Sequence, residues 1–432
     1  MKKKCIVVLC SSDLFNLKKG YNKFYTPMRL LYEAQLKKYF RKVIFYDYLK
    51  RLIQIGISNM NKEIISIIKK ESPEYILWFP RYYEIQETTL KSLKKYSKII
   101  AWFSDDRWRF ETYSKYWIPY IDFAVTEDID SVEKYKNFGV PAIHAIPSTG
   151  PALDFYDGIK KYDVSFVGSR FYADRDLWIE SILKNGIDVK TFGLGWESGF
   201  IEFSKMLDIF RTSKINLNFT KVCSDANKTQ FKGRIFQVCL AGGFLLTEYV
   251  PGIETYFVIG KEIETFKTKE EMIEKIRYFL THDKERESIA KAGWKRAVKY
   301  YSIERIIKNI IRNVDKSFRG SNINYNKSDL SDNLYMRKAF SKFYCHMAAM
   351  MAKRNNEKWK DAIWLSYIYN RKNLLALLCY STSSSFLLIM PMELKKIARN
   401  IVEKIPWLRR FALKIIPKLE KAGIDIQNTL QS

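Results

Sequence analysis

The chain has 432 residues, 47% hydrophobic and 15% aromatic, which excludes a disordered protein and is too long for one ordinary core. Its formal charge of +27, from 74 Lys and Arg against 47 Asp and Glu, points to an anionic partner, although some lysines only decorate solvated faces. Six cysteines without C-x-x-C spacing read as reduced core residues of a cytosolic protein, and no apolar run is long enough to predict a membrane span.

In chain order, CIVVLC (5–10), KVIFYDY (42–48), YILWFP (75–80), KIIAWFS (98–104), FAVTED (123–128) and AIHAIPS (142–148) are short apolar runs that predict strands. The first follows MKKK, but its apolar run is too short for a signal peptide. Helical patterns lie between the runs, at 27–40, 62–70 and 131–139 among others, so a mostly parallel sheet covered on both faces is expected. The pattern lapses into a linker over 147–161 and restarts with DVSFVGS, DVKTFGLG, INLNF and FLLTE. Two Rossmann-like α/β domains are expected, over 1–150 and 162–315, with the ligand in a cleft at the carboxyl ends of the strands.

A basic helical extension follows over 320–432. Within 391–423, Leu394, Ile397, Ile401, Ile405, Leu408 and Phe411 recur at three- or four-residue steps, with lysines and arginines on much of the other side. That pattern fits either packing on the protein's own domains or attachment to an anionic membrane surface.

The most informative stretch is FKGRIFQVCLAGGFLLTEYVP, 231–251. It predicts a short amphipathic helix, a Gly242-Gly243 break, and a buried strand ending in Glu248. Lys232 and Arg234 sit at the front of that helix, where unpaired N–H groups and the helix dipole favour an anion such as phosphate.

KGRIFQVCLAGGFLLTEYVPGIETYF, followed by GKEIETF, KEEMIEKIRYFL and ERESIAKAGWKRAVKYYS, resembles the C-terminal half of the CgeB-like, spore-maturation-protein group of glycosyltransferases, in order from Asp163 to about Ile311. AWFSDDRWRF (101–110), 123–140 and 142–150 extend the resemblance to about three quarters of the chain. The resemblance implies a GT-B fold, two Rossmann-like domains facing a cleft. It also implies sugar transfer from a nucleotide-diphosphate donor to a cell-surface glycan, a lipid-linked intermediate or a protein. The nucleotide-sugar is then a substrate, and no cofactor is expected.

Such a transfer needs cations at the diphosphate, polar contacts to the ribose and a group that manages the acceptor's proton. Arg234 and Lys232 are candidates for the first role, with Arg170 just past the strand SFV. Gly193 and Gly195 would let backbone approach a base or ribose, a plain turn being the alternative. Gln237 stands where the related transferases often carry a ribose-binding glutamate, and Thr229 replaces its partner acid, while Glu248 retains an acid nearby. Asp105 and Asp106 follow KIIAWFS and would face the acceptor, or else cap the next helix. His144 is an acceptor-side candidate, and three widely separated histidines predict no catalytic metal.

Two other readings stand beside this one. An inactive sugar-nucleotide-binding scaffold would explain the missing acids. A nucleic-acid binder would explain the charge, but no zinc spacing, RNP-like motif or arginine-rich tract supports it. The expected location is the cytoplasm, peripheral to the inner face of the membrane.

Overall fold

The computed structural model describes residues 2–10, 31–146, 150–171, 174–199, 201–222, 225–319, 334–352 and 356–369. The amphipathic segment 391–423 lies outside them, as do Cys223 and Cys379.

The first half is built on six parallel strands: β1 (Lys3–Cys10), β2 (Phe40–Asp47), β3 (Tyr75–Trp78), β4 (Lys98–Phe103), β5 (Phe123–Thr126) and β6 (Ala142–His144), in the order β2-β1-β3-β4-β5-β6. Burial on both faces explains the unbroken apolar runs. In β1, Cys5, Val7 and Leu9 enter one core while Ile6, Val8 and Cys10 enter the other. The helix Ile57–Glu71 buries Ile57, Met60, Ile64 and Ile68 on its sheet-facing stripe.

The second half repeats the plan with β7 (Tyr162–Val167), β8 (Val189–Phe192), β9 (Ser213–Asn218), β12 (Leu245–Glu248) and β13 (Glu264–Phe266), ordered β13-β12-β9-β7-β8 and again parallel. A two-stranded antiparallel pair, β10 (Lys221–Val222) and β11 (Asp225–Thr229), follows β9. Strand order reverses between β1 and β3 in one sheet and between β7 and β9 in the other, and such switch points open ligand crevices at the strands' carboxyl ends.

One core joins the halves. It runs from Ile6 and Val125 through Ala145 and Ile146 to Ile235, Phe236 and the helix Ile303–Arg319. That helix returns to the first half, where Asp315 meets Lys3 at 3.0 Å and accepts from the Tyr75 hydroxyl at 2.9 Å.

The described part of the extension is no loose appendage. The helices Leu334–Ala352 and Trp359–Tyr369 place Phe340, Tyr344, Met347 and Ile363 in the core of the first half, beside Trp117 and Ile64. Asp361 fastens them by accepting from the Ser58 backbone N–H at 2.9 Å and its hydroxyl at 2.6 Å. Among the described residues no helix is long and apolar enough to cross a membrane.

Candidate active site at the strand ends

In the second half the site is built around the helix Gly233–Leu240, here α1. Its N-cap Lys232 has extended backbone (φ −105°, ψ 141°) and supplies no side-chain cap, so the first N–H groups of α1 are not satisfied by that route. The turn out of α1 needs its two glycines. Gly242 has φ +78°, and a Cβ on Gly243 would meet the Phe210 carbonyl at 2.5 Å.

Arg234 crosses from α1 to the end of β7. Its Nε donates to the Val167 carbonyl at 3.1 Å and its Nη1 to Gln237 Oε1 at 2.7 Å. The side chain is half-buried and has no carboxylate partner among the described residues. Burial, with the charge of Arg175 added, pushes its guanidinium down to about 10. Val167 ends β7, one of the two strands at the switch point, so a desolvated cation stands where the fold opens its crevice.

The other candidates of this half take different parts. Gln237 is only 4% exposed and spends its amide oxygen on Arg234, so it holds that guanidinium rather than presenting a free face to a diol. Glu248 is also buried. Its Oε2 accepts from the Thr220 backbone N–H at 2.7 Å and its hydroxyl at 3.1 Å, which fixes the loop after β9. Thr229 closes β11 opposite Lys221.

Gly193 (φ +125°) and Gly195 (φ +88°) form the plain turn. A Cβ on Gly193 would run into the Gly168 carbonyl, and one on Gly195 would meet the Phe171 ring at 2.8 Å, so protein rather than ligand fills that space. Arg170 is exposed on the same loop pair, its guanidinium 5.5 Å from the Trp196 ring centre.

In the first half, the two aspartates after β4 diverge. Asp105 is half-buried in the left-handed region (φ 64°), which Asp tolerates better than most residues, and it starts the short helix Asp106–Arg109 without a side-chain cap. Asp106 does not face the acceptor side. It is 1% exposed and accepts from the Thr126 hydroxyl at 2.6 Å and the Tyr135 hydroxyl at 2.9 Å, with burial pushing its carboxyl up to about 6. It ties the end of β5 to the helix Ile129–Asn137.

Glu127, one residue past β5, occupies the place expected for Asp106. Its Oε1 accepts from the Trp102 indole N–H at 3.2 Å and the Ser104 hydroxyl at 3.3 Å, while Oε2 accepts nothing from the described residues. Desolvation, then the charge of Asp105, pushes its carboxyl up to about 8, the range where a carboxylate is a competent base near neutral pH. An acid directly after a parallel strand is the signal for it in FAVTED, but its environment comes from β4.

His144 ends β6. Its Nε2 lies 3.0 Å from the Tyr256 hydroxyl of the second half, and burial lowers its pKa. The Trp108 indole also bridges the halves, donating to Gln230 Oε1 at 3.1 Å. Among the described residues there is no group of three or more His, Cys, Asp and Glu that could hold a metal ion.

Residues 175–312 match a family model described as "Glycosyl transferase-like". The match lies within the second α/β unit. Arg234, Lys232, Gln237 and Glu248 all fall inside the match. Among solved structures, a glycosyltransferase from Rickettsia africae is similar at 12% identity, with 74% of this chain and 100% of that chain covered and a TM-score of 0.51. The sucrose-phosphate synthase of Thermosynechococcus elongatus is similar at 9% identity, with 74% and 100% covered and a TM-score of 0.52. At these identities the likeness speaks to the fold, which is of the two-Rossmann GT-B type. No curated protein matches the chain.

Proposed function

We propose that the protein is a glycosyltransferase of the CgeB-like group, moving a sugar from a nucleotide-diphosphate donor to a cell-surface glycan, a lipid-linked intermediate or a protein. The observation that carries this reading is Arg234, a half-buried guanidinium without a carboxylate at the end of β7, beside the open N-terminus of α1. An uncompensated cation next to unsatisfied N–H groups favours an anion, and the diphosphate of a nucleotide-sugar supplies one where its charge grows as the glycosidic bond breaks.

In this reading Arg234, Lys232 and the first N–H groups of α1 receive the diphosphate, and Arg170 lies at the rim. Glu127 takes the proton of the acceptor hydroxyl as that oxygen bonds to the anomeric carbon and the diphosphate leaves. Asp105 keeps Glu127 basic, and His144 lies on the acceptor side at the seam. Gln237 and Glu248 act by positioning. The nucleotide-sugar is a substrate, no separate cofactor is required, and attachment of 391–423 to an anionic membrane surface belongs to the same proposal.

The test is a screen of UDP-, GDP-, TDP- and CDP-sugars by thermal shift, followed by product analysis. A true donor at about 100 times its dissociation constant stabilises by roughly 2.7 kcal/mol. One nucleotide that raises the melting temperature and is consumed supports the enzyme. Binding without turnover supports a scaffold, and no response from any nucleotide sinks the reading.

A further inference from the structure

A cavity lies at the seam between the halves, and Arg234 is not among its lining residues. It measures about 200 Å³ and is lined by His144 and Tyr256, by Tyr300 and Tyr301, and by Arg305 and Asn309. Sites for drug-sized ligands run to roughly 300–1,000 Å³, so this one suits a single ring and not a nucleotide-sugar. The buried Ile306 and Ile310 close its inner end, while Tyr300, 48% exposed, stands at the mouth with the exposed Arg305 and Asn309.

The chemistry of the lining is specific in sign. Three tyrosines, a guanidinium and an amide line the space and no carboxylate does. The Tyr301 hydroxyl donates to the Tyr256 carbonyl at 2.8 Å and the Tyr256 hydroxyl pairs with His144, so Tyr300, Arg305 and Asn309 are the groups that address a ligand. Arg305 makes no ion pair among the described residues, and the Asn309 side-chain oxygen accepts from Asn313 at 3.0 Å while its side-chain N–H groups have no described partner. The site therefore offers donors to a ligand rich in acceptors and negative charge, with aromatic faces for a ring.

Beyond the mouth the charge continues. Arg305, Lys308, Arg312 and Lys316 fall at three- or four-residue steps on the exposed face of Ile303–Arg319. None makes a direct ion pair among the described residues, and Glu304, the acid nearest to Arg305 and Lys308, is paired with Lys38 at 2.8 Å. From Arg305 to Lys316 the helix rises about 17 Å, more than one ring occupies. At the other end, His144 pairs in register with Thr126, the residue before Glu127.

We infer that this cavity and stripe form a subsite for an anionic glycan, one ring in the cavity and the following negative groups along the helix, holding the chain that receives sugar near Glu127. The inference rests on the transferase reading for its purpose but not for its binding chemistry.

The experiment titrates the full chain, by calorimetry, with a hexamer of galacturonic acid, with neutral maltohexaose, with inorganic phosphate and with a dT6 oligonucleotide. The uronate hexamer should bind and the neutral hexamer should not. Arg305→Ala combined with Tyr300→Ala should weaken uronate binding at least tenfold, and Tyr300→Phe, which keeps the ring, should retain most of it. Lys308→Ala with Arg312→Ala should flatten the salt dependence. None of these changes should alter nucleotide binding or the melting temperature. The subsite is overturned if the unmodified chain does not bind the uronate, if dT6 binds more tightly, if phosphate alone displaces the uronate completely, or if the cavity variants bind as the unmodified chain does. Uronate binding that persists in a chain deaf to every nucleotide would keep the subsite and sink the transferase reading, so the two fail separately.

Discussion

The two halves share a plan and differ in what they leave at the ends of their strands. The first half carries acids out of water: Glu127, Glu84 and Asp106 are pushed up to about 8, 7 and 6, in each case first by burial. The second half carries a cation out of water, Arg234, pushed down to about 10, while its own strand-end acid Glu248 holds Thr220 through one carboxylate oxygen. Desolvation acts on both, and each group's neighbours reinforce it: Asp105 beside Glu127, Arg175 beside Arg234. One fold repeated twice thus offers a proton acceptor on one side and an anion holder on the other, the division of labour that transfer from a diphosphate leaving group requires.

The sharpest way to break this comparison is Glu127→Gln. If Glu127 is the base, kcat should fall roughly 10²- to 10⁴-fold with little change in donor affinity. In the unmodified chain the rate should climb with pH through about 8, as the carboxyl loses its proton, and that limb should vanish in the variant. Stability should move the other way. A carboxyl whose pKa is raised on folding stabilises the fold below its unfolded value, and that contribution is lost as pH rises through the folded one. Glu127, Glu84 and Asp106 all act in this direction, so the melting temperature should fall between about pH 4 and pH 8, and less steeply in Glu127→Gln. Activity that survives the change with its pH limb intact would move the base elsewhere.

On the other side, Arg234→Ala should weaken binding of the free nucleoside diphosphate by about 1.5–3 kcal/mol, the worth of a hydrogen bond to a charged group. It should also lower stability, because the Val167 carbonyl and the Gln237 amide oxygen lose their donor, a cost of about 1–3 kcal/mol for buried groups. Arg234→Lys separates the two effects by keeping the charge without the fork. Calorimetry that finds both variants binding as the unmodified chain does would remove Arg234 from the donor site.

Much of this is legible in the sequence. The apolar runs CIVVLC, KIIAWFS and DVSFVGS read as strands, and their repeated alternation with helices led to two parallel sheets. The 231–251 stretch put Arg234 at a helix front for a local reason, its offset from Gly233, and the structure places it there. What sequence could not supply was orientation across elements. Asp106 turns inward because Thr126 and Tyr135, 20 and 29 residues on, offer hydroxyls. Glu127 is basic because the fold buries it and sets Asp105, two residues past β4, beside it, against the opposing pull of the Trp102 indole N–H. The aromatic helices after 334 gave no cue of their partner, since the complement that buries Phe340 and Tyr344 is Tyr83, Trp117 and their neighbours on the first half.

Gln237 gives the finest test of the comparison, because it asks whether a new acid on the cationic side would help or interfere. Its position in the resemblance favours Glu, a better acceptor for a ribose diol. In the structure, however, its Oε1 already receives Arg234 Nη1 at 2.7 Å, at a site only 4% exposed. A carboxylate there would form a buried ion pair with the guanidinium that the diphosphate needs, and would neutralise the charge that makes the site attractive. Gln237→Glu should therefore weaken donor binding several-fold, corresponding to about 1 kcal/mol, while raising the melting temperature slightly through the new pair. The readout is the donor dissociation constant at two salt concentrations, since the lost charge should also reduce its salt dependence. Tighter binding in the variant would mean that residue 237 turns toward the ribose when the donor arrives, and that the guanidinium is held by Val167 alone.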